Sequence, residues 1–124
     1  MTKTMKTILC VDDHPGALSL LTSLFQKCGF AVFTAGDPLE AIASAEQTTF
    51  DLAVLDYELP NMSGISLAKS LRRIKPLMPL VLFSGCLSIT DEELSAVDAH
   101  VAKGENINIL LAKVRDILHV SQRR

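Results

Sequence analysis

Tryptophan is absent and tyrosine occurs once, so aromatic residues make up only 5% of the 124 positions. A core built from this chain is therefore aliphatic. No apolar run approaches the ~18 residues that suggest a membrane span. The polar start, Met1 to Lys6, has no signal-peptide core, and a cytoplasmic location is expected. There is no CxxC and no Cys/His zinc pattern. The cysteines, Cys10, Cys28 and Cys86, are three in number and widely spaced, which fits reduced, mostly buried thiols rather than a disulfide framework. A charge excess is lacking too. Twelve basic and 14 acidic residues leave a net charge of −2, which argues against broad binding to nucleic acid or membranes. No internal repeat or low-complexity segment is visible.

What is present is enough apolar material for one packed domain. Hydrophobic residues are 48% and charged residues 21%, a balance that disfavours disorder. We read residues 1–124 as a single domain with a core of about 7–119 and short polar termini. Thr7 to Val11 reads as a first strand. A helix follows from Pro15, with Leu18, Leu21, Phe25 and Cys28 on one face, and Gly29 ends it. Phe30 to Thr34 is a second strand, and Gly36-Asp37-Pro38 a turn. Leu39, Ile42, Ala43 and Ala45 mark a modest second helix. Phe50 to Leu55 is a third strand, and Pro60 to Gly64 the loop after it. Ile65, Leu67, Ala68, Leu71 and Ile74 mark a third helix. Its basic end, Lys69, Arg72, Arg73 and Lys75, reads as a solvated face that suits the helix dipole. Leu80 to Phe83 is a fourth strand, Thr90 caps a short acidic fourth helix, and Ala99 to Ala102 is a weak fifth strand. Ile107, Leu110, Leu111, Val114, Ile117 and Leu118 form the clearest amphipathic helix. The tail from Ser121 to Arg124 reads as frayed. Five alternating strand–helix units imply an α/β fold, a parallel sheet covered on both faces.

In a parallel sheet the carboxyl ends of the strands share one edge, where ligands bind. The first strand ends in Asp12 and Asp13, the third in Asp56, the fourth in Ser84 and the fifth in Lys103. Taken singly, Asp12 or Asp13 also reads as a helix cap, Ser84 as a turn residue and Lys103 as a solvated lysine. Their joint placement is harder to dismiss. Three clustered carboxylates repel one another unless a cation intervenes, and such oxygen ligands suit Mg²⁺ or Mn²⁺. A phosphoryl group placed here would meet metal, ammonium and hydroxyl, the positioning and charge neutralisation that phosphoryl transfer needs. Asp56, alone at the end of the central run, is the candidate nucleophile, and Asp12 and Asp13 the candidate metal pair.

With these residues in order, Ile8-Leu9-Cys10-Val11-Asp12-Asp13, Val54-Leu55-Asp56, Pro60-Asn61-Met62-Ser63-Gly64, Leu82-Phe83-Ser84-Gly85 and Lys103, the chain resembles a receiver domain of bacterial two-component response regulators from about Thr7 to Leu118. The resemblance implies a flavodoxin-like (βα)5 three-layer sandwich with strand order 2-1-3-4-5. It implies a phosphorelay switch in which Asp56 accepts a phosphoryl group from a histidine kinase or phosphotransfer protein. Asp12, Asp13, Asp56 and the backbone carbonyl of Glu58 would hold Mg²⁺. Ser84 would bond a phosphoryl oxygen, and Lys103 would pair with Asp56 or its phosphate. The domain would catalyse only its own aspartyl phosphorylation and dephosphorylation and would not be an enzyme otherwise. Its output would be a change in the face of helix four, strand five and helix five, with Ser84 and His100 as switch residues. That output would reach a protein partner, an effector domain or a phosphorylation-dependent homodimer, without direct nucleic-acid or membrane contact.

The chain departs from the family pattern at several places, among them Tyr57 and Glu58 after Asp56, where Glu58 adds negative charge at the rim of the site and an unusual phosphate lifetime is expected. His100 stands where an aromatic residue usually swings inward. Gly104 replaces the common proline after the lysine, so a trans bond or a local distortion is expected. Gly85 follows the hydroxyl position and should loosen its loop. Two other functions compete. A degenerate receiver would serve as a protein-binding module only. A haloacid dehalogenase-type phosphohydrolase also uses Asp, Ser/Thr, Lys and paired acids, but with the nucleophile strand first. Here Asp12-Asp13 precede Asp56. No DNA-binding segment follows the last helix in this sequence, so it reads as a single-domain regulator or as the receiver part of a longer protein cut after Arg124.

Overall fold

Ile8, Leu9, Cys10 and Val11 are at most 1% exposed in the computed structural model, which describes residues 5–86 and 88–122. A run with no polar alternation belongs in the middle of a sheet covered on both faces. This strand, β1 (Thr7–Val11), pairs in parallel with β2 (Ala31–Ala35) on one side and β3 (Leu52–Leu55) on the other. Beyond β3 come β6 (Leu80–Ser84) and β7 (Ala99–Ala102), both parallel. A separate two-stranded ribbon, β4 (Glu58–Leu59) and β5 (Met62–Ser63), lies between β3 and the next helix. The sheet order is β2-β1-β3-β6-β7. With the ribbon left out of the count this is the expected 2-1-3-4-5 order of the flavodoxin-like fold.

The pleat sends alternate side chains to opposite faces, and two cores result. Ile8, Cys10, Leu52 and Val54 pack with Leu21 and Phe25 of α1 (Pro15–Lys27) and with Leu110 and Val114 of α5 (Ile107–Gln122). Leu9, Val11, Ala53 and Leu55 pack with Ala41 and Ala45 of α2 (Pro38–Gln47) and with Leu67, Ala68 and Leu71 of α3 (Gly64–Ile74). A one-turn helix, α4 (Asp91–Leu94), leans on the second core through the half-buried Leu94. Among the described residues, no helix is long and apolar enough to cross a membrane.

Several local expectations hold. Gly29 ends α1 with a φ of 89°, a left-handed conformation that suits glycine. Thr90 caps α4 in a reciprocal box with Glu93.

Others are corrected. β2 runs one residue later than expected, because the Phe30 N–H is still spent on the Phe25 carbonyl. β3 starts at Leu52 rather than Phe50, and the Asp51 carboxylate instead accepts the N–H and hydroxyl of Thr7 at 2.7 and 3.1 Å. The loop from Pro60 to Gly64 is partly the ribbon, turned at Asn61 with a φ of 67°. Leu39, assigned to the apolar face of α2, is 74% exposed, and Ala41 and Ala45 make that face. Asp37 caps the helix through the Glu40 N–H at 2.8 Å.

The basic end of α3 is not simply solvated. Arg72 reaches Asp98 at 3.0 Å and the Met78 carbonyl at 3.2 Å. Asp98 also takes the Leu80 N–H at 2.7 Å, so these bonds tie α3 to the start of β6 and the approach to β7. Of the three free cysteines only Cys10 is buried, Cys28 and Cys86 being half-buried. The tail expected to fray keeps its helix to Gln122, and Arg123 and Arg124 lie outside the described residues.

Candidate functional site

The parallel ladder ends in a row of backbone bonds that set the site residues at the sheet's carboxyl edge. The Asp12 N–H donates to the Ala35 carbonyl at 3.2 Å, and the Asp56 N–H to the Val11 carbonyl at 3.0 Å. The Lys103 N–H donates to the Ser84 carbonyl at 3.0 Å. Asp12, Asp56 and Lys103 are thus each the first residue beyond a strand, Asp13 is the second, and Ser84 is the last residue of its strand.

Asp12, Asp56 and Ser84 are 2%, 6% and 1% exposed, the only buried polar or charged residues among those described. The Lys103 ammonium lies 2.8 Å from Asp12 Oδ2 and 3.4 Å from Asp56 Oδ1. It bridges the two buried carboxylates from strands far apart in sequence. Asp13 stands more open, at 35% exposure. Neither Asp12 nor Asp13 caps α1. His14 is the cap residue, without a side-chain cap bond, and Asp12 Oδ1 accepts the His14 N–H at 2.9 Å.

The electrostatics differ sharply between the two buried acids. Burial pushes Asp12 upward, but the Lys103 hydrogen bond and the His14 N–H outweigh it and hold its carboxyl below the ordinary value. Asp56 is pushed up by burial first and by the Asp12 charge second, with Lys103 only partly compensating. Burial works against the Lys103 ammonium, yet its bond to Asp12 and the Asp56 charge raise its pKa on balance. Cys10, buried beneath Asp12, is raised to about 12 by burial and then by that carboxylate. Its thiol is inert at neutral pH.

The donor set fits a hard divalent cation. Asp12, Asp13, Asp56 and His14 each offer a ligand atom, and these atoms all lie within 4.8 Å of one another. Carboxylate oxygens in that number match Mg²⁺ or Mn²⁺. Glu58 opens the β4 ribbon two residues beyond Asp56, with its side chain exposed. Ser84 Oγ accepts the Cys86 N–H at 3.0 Å and keeps its own proton to donate. His100 lies on β7 opposite Leu82 with its ring exposed. Among the described residues all peptide bonds are trans, that between Lys103 and Gly104 included.

Three features of the site were missed in the sequence. His14 Nδ1 sits 3.1 Å from a carboxylate oxygen of Asp12 and 3.1 Å from one of Asp13, and its place directly after the acid pair was the available signal. Gly64 packs its Cα on the phosphoacceptor candidate's backbone: a Cβ there would overlap the Asp56 carbonyl, and the Gly64 N–H donates to the Tyr57 carbonyl at 2.6 Å. The Tyr57 hydroxyl donates to Glu93 Oε2 at 2.8 Å, and nothing in the local sequence announced that contact.

Known proteins resemble this chain in sequence and fold. The response regulator receiver domain family matches residues 8–115. The Bacillus subtilis alkaline phosphatase synthesis transcriptional regulatory protein PhoP is 35% identical, over 94% of this chain and 50% of its own. The probable transcriptional regulatory protein TcrX of Mycobacterium tuberculosis is 31% identical, over 90% of this chain and 49% of its own. The chain thus spans about half the length of these curated relatives. Among solved structures, a CheY-like receiver domain protein from Methanospirillum hungatei superposes with a TM-score of 0.90 at 29% identity, covering 97% of this chain and 98% of that one. The response regulator TrrA of Thermotoga maritima, in complex with Mg(2+)-BeF, gives 0.86 at 33% identity, covering 90% and 98%. TrrA in complex with the histidine kinase ThkA gives 0.85 at 33%, covering 92% and 99%. With the family pattern running through both acid strands to the last helix, the chain belongs to the response regulator receiver domains of two-component systems.

Proposed function

We propose that this domain, acting as one unit of about residues 7–119 in the cytoplasm, is a phosphoacceptor switch whose Asp56 carboxylate takes a phosphoryl group from the phosphohistidine of a kinase or phosphotransfer protein. The observation that carries this reading is the Lys103 ammonium set 2.8 Å from Asp12 and 3.4 Å from Asp56. A lysine so held can follow charge from the carboxylate to a phosphoryl oxygen without leaving its anchor on Asp12.

In the transfer, an Asp56 oxygen attacks phosphorus. The P–O bond forms as the P–N bond to the donor histidine breaks, and the histidine leaves with the electron pair. Asp12, Asp13, Asp56 and the Glu58 backbone carbonyl would hold Mg²⁺, which supplies neutralising charge for the phosphoryl oxygens. The Ser84 hydroxyl donates a hydrogen bond to one of those oxygens. The domain is then both substrate and catalyst of its own modification and turns over no other substrate. The modified state changes the face made by α4, β7 and α5, with His100 on that face, and a protein partner reads the change.

Intact-mass analysis after incubation with Mg²⁺ and a small phosphodonor tests this. Wild type should gain one phosphoryl group and Asp56→Asn none. Label persisting on the variant would remove Asp56 from the role.

A further inference from the structure

The residue that directly follows the phosphoacceptor candidate is bonded to the segment expected to carry the output. Tyr57 Oη donates to Glu93 Oε2 at 2.8 Å across 36 residues. Glu93 is also what holds α4 together. Its Oε1 accepts the Thr90 N–H at 3.1 Å, while Thr90 Oγ1 accepts the Glu93 N–H at 3.1 Å. α4 is four residues long and none of them is buried. Leu94 packs only partly against the second core, so the polar contacts of one carboxylate add to what sets the position of α4.

The Tyr57–Glu93 bond therefore joins α4 to the residue beside Asp56. The Tyr57 end is fixed. The neighbouring Asp56 N–H is held by Val11, the Tyr57 carbonyl takes the Gly64 N–H at 2.6 Å, and Gly64 leaves no room against the Asp56 carbonyl. On the other side of the site, Ser84 Oγ accepts the Cys86 N–H at 3.0 Å. A turn of Ser84 away from Cys86 would release that N–H. His100, exposed on β7, has no comparable bond to the site among the described residues.

We propose that the Tyr57–Glu93 bond is a latch that holds α4 in the resting state and opens when Asp56 is phosphorylated, so that the signal leaves the site through Tyr57 and α4 rather than through His100. This rests on the phosphoacceptor reading. When Ser84 turns to a phosphoryl oxygen, the Cys86 amide and the α4 cap shift against a stationary Tyr57, and the bond breaks. A bond present only in the resting state opposes activation, so its removal raises the activated fraction before any phosphoryl group arrives.

Tyr57 is the only tyrosine and tryptophan is absent, so intrinsic emission reports this side chain alone. A phenol bonded to a carboxylate is quenched, and emission should rise when beryllofluoride and Mg²⁺ are added to wild type. Beryllofluoride titrations followed at the Cys86 and Glu93 amides by NMR give the apparent affinity. Tyr57→Phe should bind about three- to tenfold more tightly than wild type. Glu93→Gln, which keeps the capping pattern, should show a smaller gain in the same direction, and the double variant no more than Tyr57→Phe alone. Equal affinity in wild type and Tyr57→Phe, or emission that stays flat while beryllofluoride binds, would overturn the latch and leave the phosphoacceptor role standing. Wild type that binds no beryllofluoride would overturn the phosphoacceptor reading, and the latch with it.

Discussion

A buried carboxylate with too little compensation costs the fold stability. Asp56 is 6% exposed, and its pKa is raised by burial and by the Asp12 charge. A group whose folded pKa exceeds its unfolded value holds more protons folded than unfolded across the interval between the two. Stability contributed by that group therefore falls as pH rises from the ordinary carboxylate value through the raised one, and stays lower above it. Asp56→Asn should then stabilise the metal-free protein near neutral pH by on the order of 1 kcal/mol. The gain should shrink as pH drops below the raised value and Asp56 itself becomes neutral. Urea denaturation of both forms with chelator present, at several pH values, measures this; a gain that grows toward acid pH would contradict the assignment. Gly64 makes the opposite case. A methyl group there meets the backbone carbonyl of Asp56 rather than a flexible side chain. Gly64→Ala should cost about 2–3 kcal/mol, read as a lower denaturation midpoint, and, on the phosphoacceptor proposal, should slow phosphorylation because the shifted backbone carries Asp56.

Among the secondary-structure elements, polar staples decide where the weakly packed segments sit. Arg72 and Asp98 are 36% and 42% exposed, so their ion pair alone is worth only about 0.2–1 kcal/mol. Asp98 does more, because its carboxylate also accepts the Leu80 N–H at the start of a buried strand. Asp98→Ala should accordingly destabilise the fold by about 1–2 kcal/mol and more than Arg72→Ala does; denaturation curves for the two variants that coincide would reject the Leu80 bond as the cause. These staples also mark where sequence reading ran out. Strands with unbroken apolar runs, such as Leu80 to Phe83, and the periodic helix from Ile107 were plain, because burial writes a local pattern. Arg72 read as a solvated cation and Leu39 as core, because a bond across 26 residues or the tilt of a helix leaves no local trace. The ribbon at Glu58–Leu59 is two residues long per strand, too short for any alternation to show.

For the molecule as a whole, the carboxyl edge is where fold and chemistry meet, and its main residues were legible because topology puts every strand end there. Asp12, Asp13, Asp56, Ser84 and Lys103 each directly follow or close an apolar run. Tyr57 and His14 were not marked as site residues, since their partners are set by tertiary approach or by side-chain rotamer. Three acids around one pocket predict a stability linked to metal. Mg²⁺ at a hundred times its dissociation constant should stabilise the native state by about 2.7 kcal/mol, seen as a higher melting temperature that chelator reverses. Asp13→Asn should lose most of that increment; an increment of the same size would place the ion elsewhere.

The Lys103–Asp12 contact has a last consequence. Its partners are 91 residues apart, so the pocket closes only when nearly the whole chain is available. During synthesis, which delivers the N-terminus first, Asp56 emerges from the ribosome well before the lysine that steadies its chemistry. A nascent chain thus exposes the Asp56 carboxylate without its ammonium neighbour, and the two meet only once the last strand has been made.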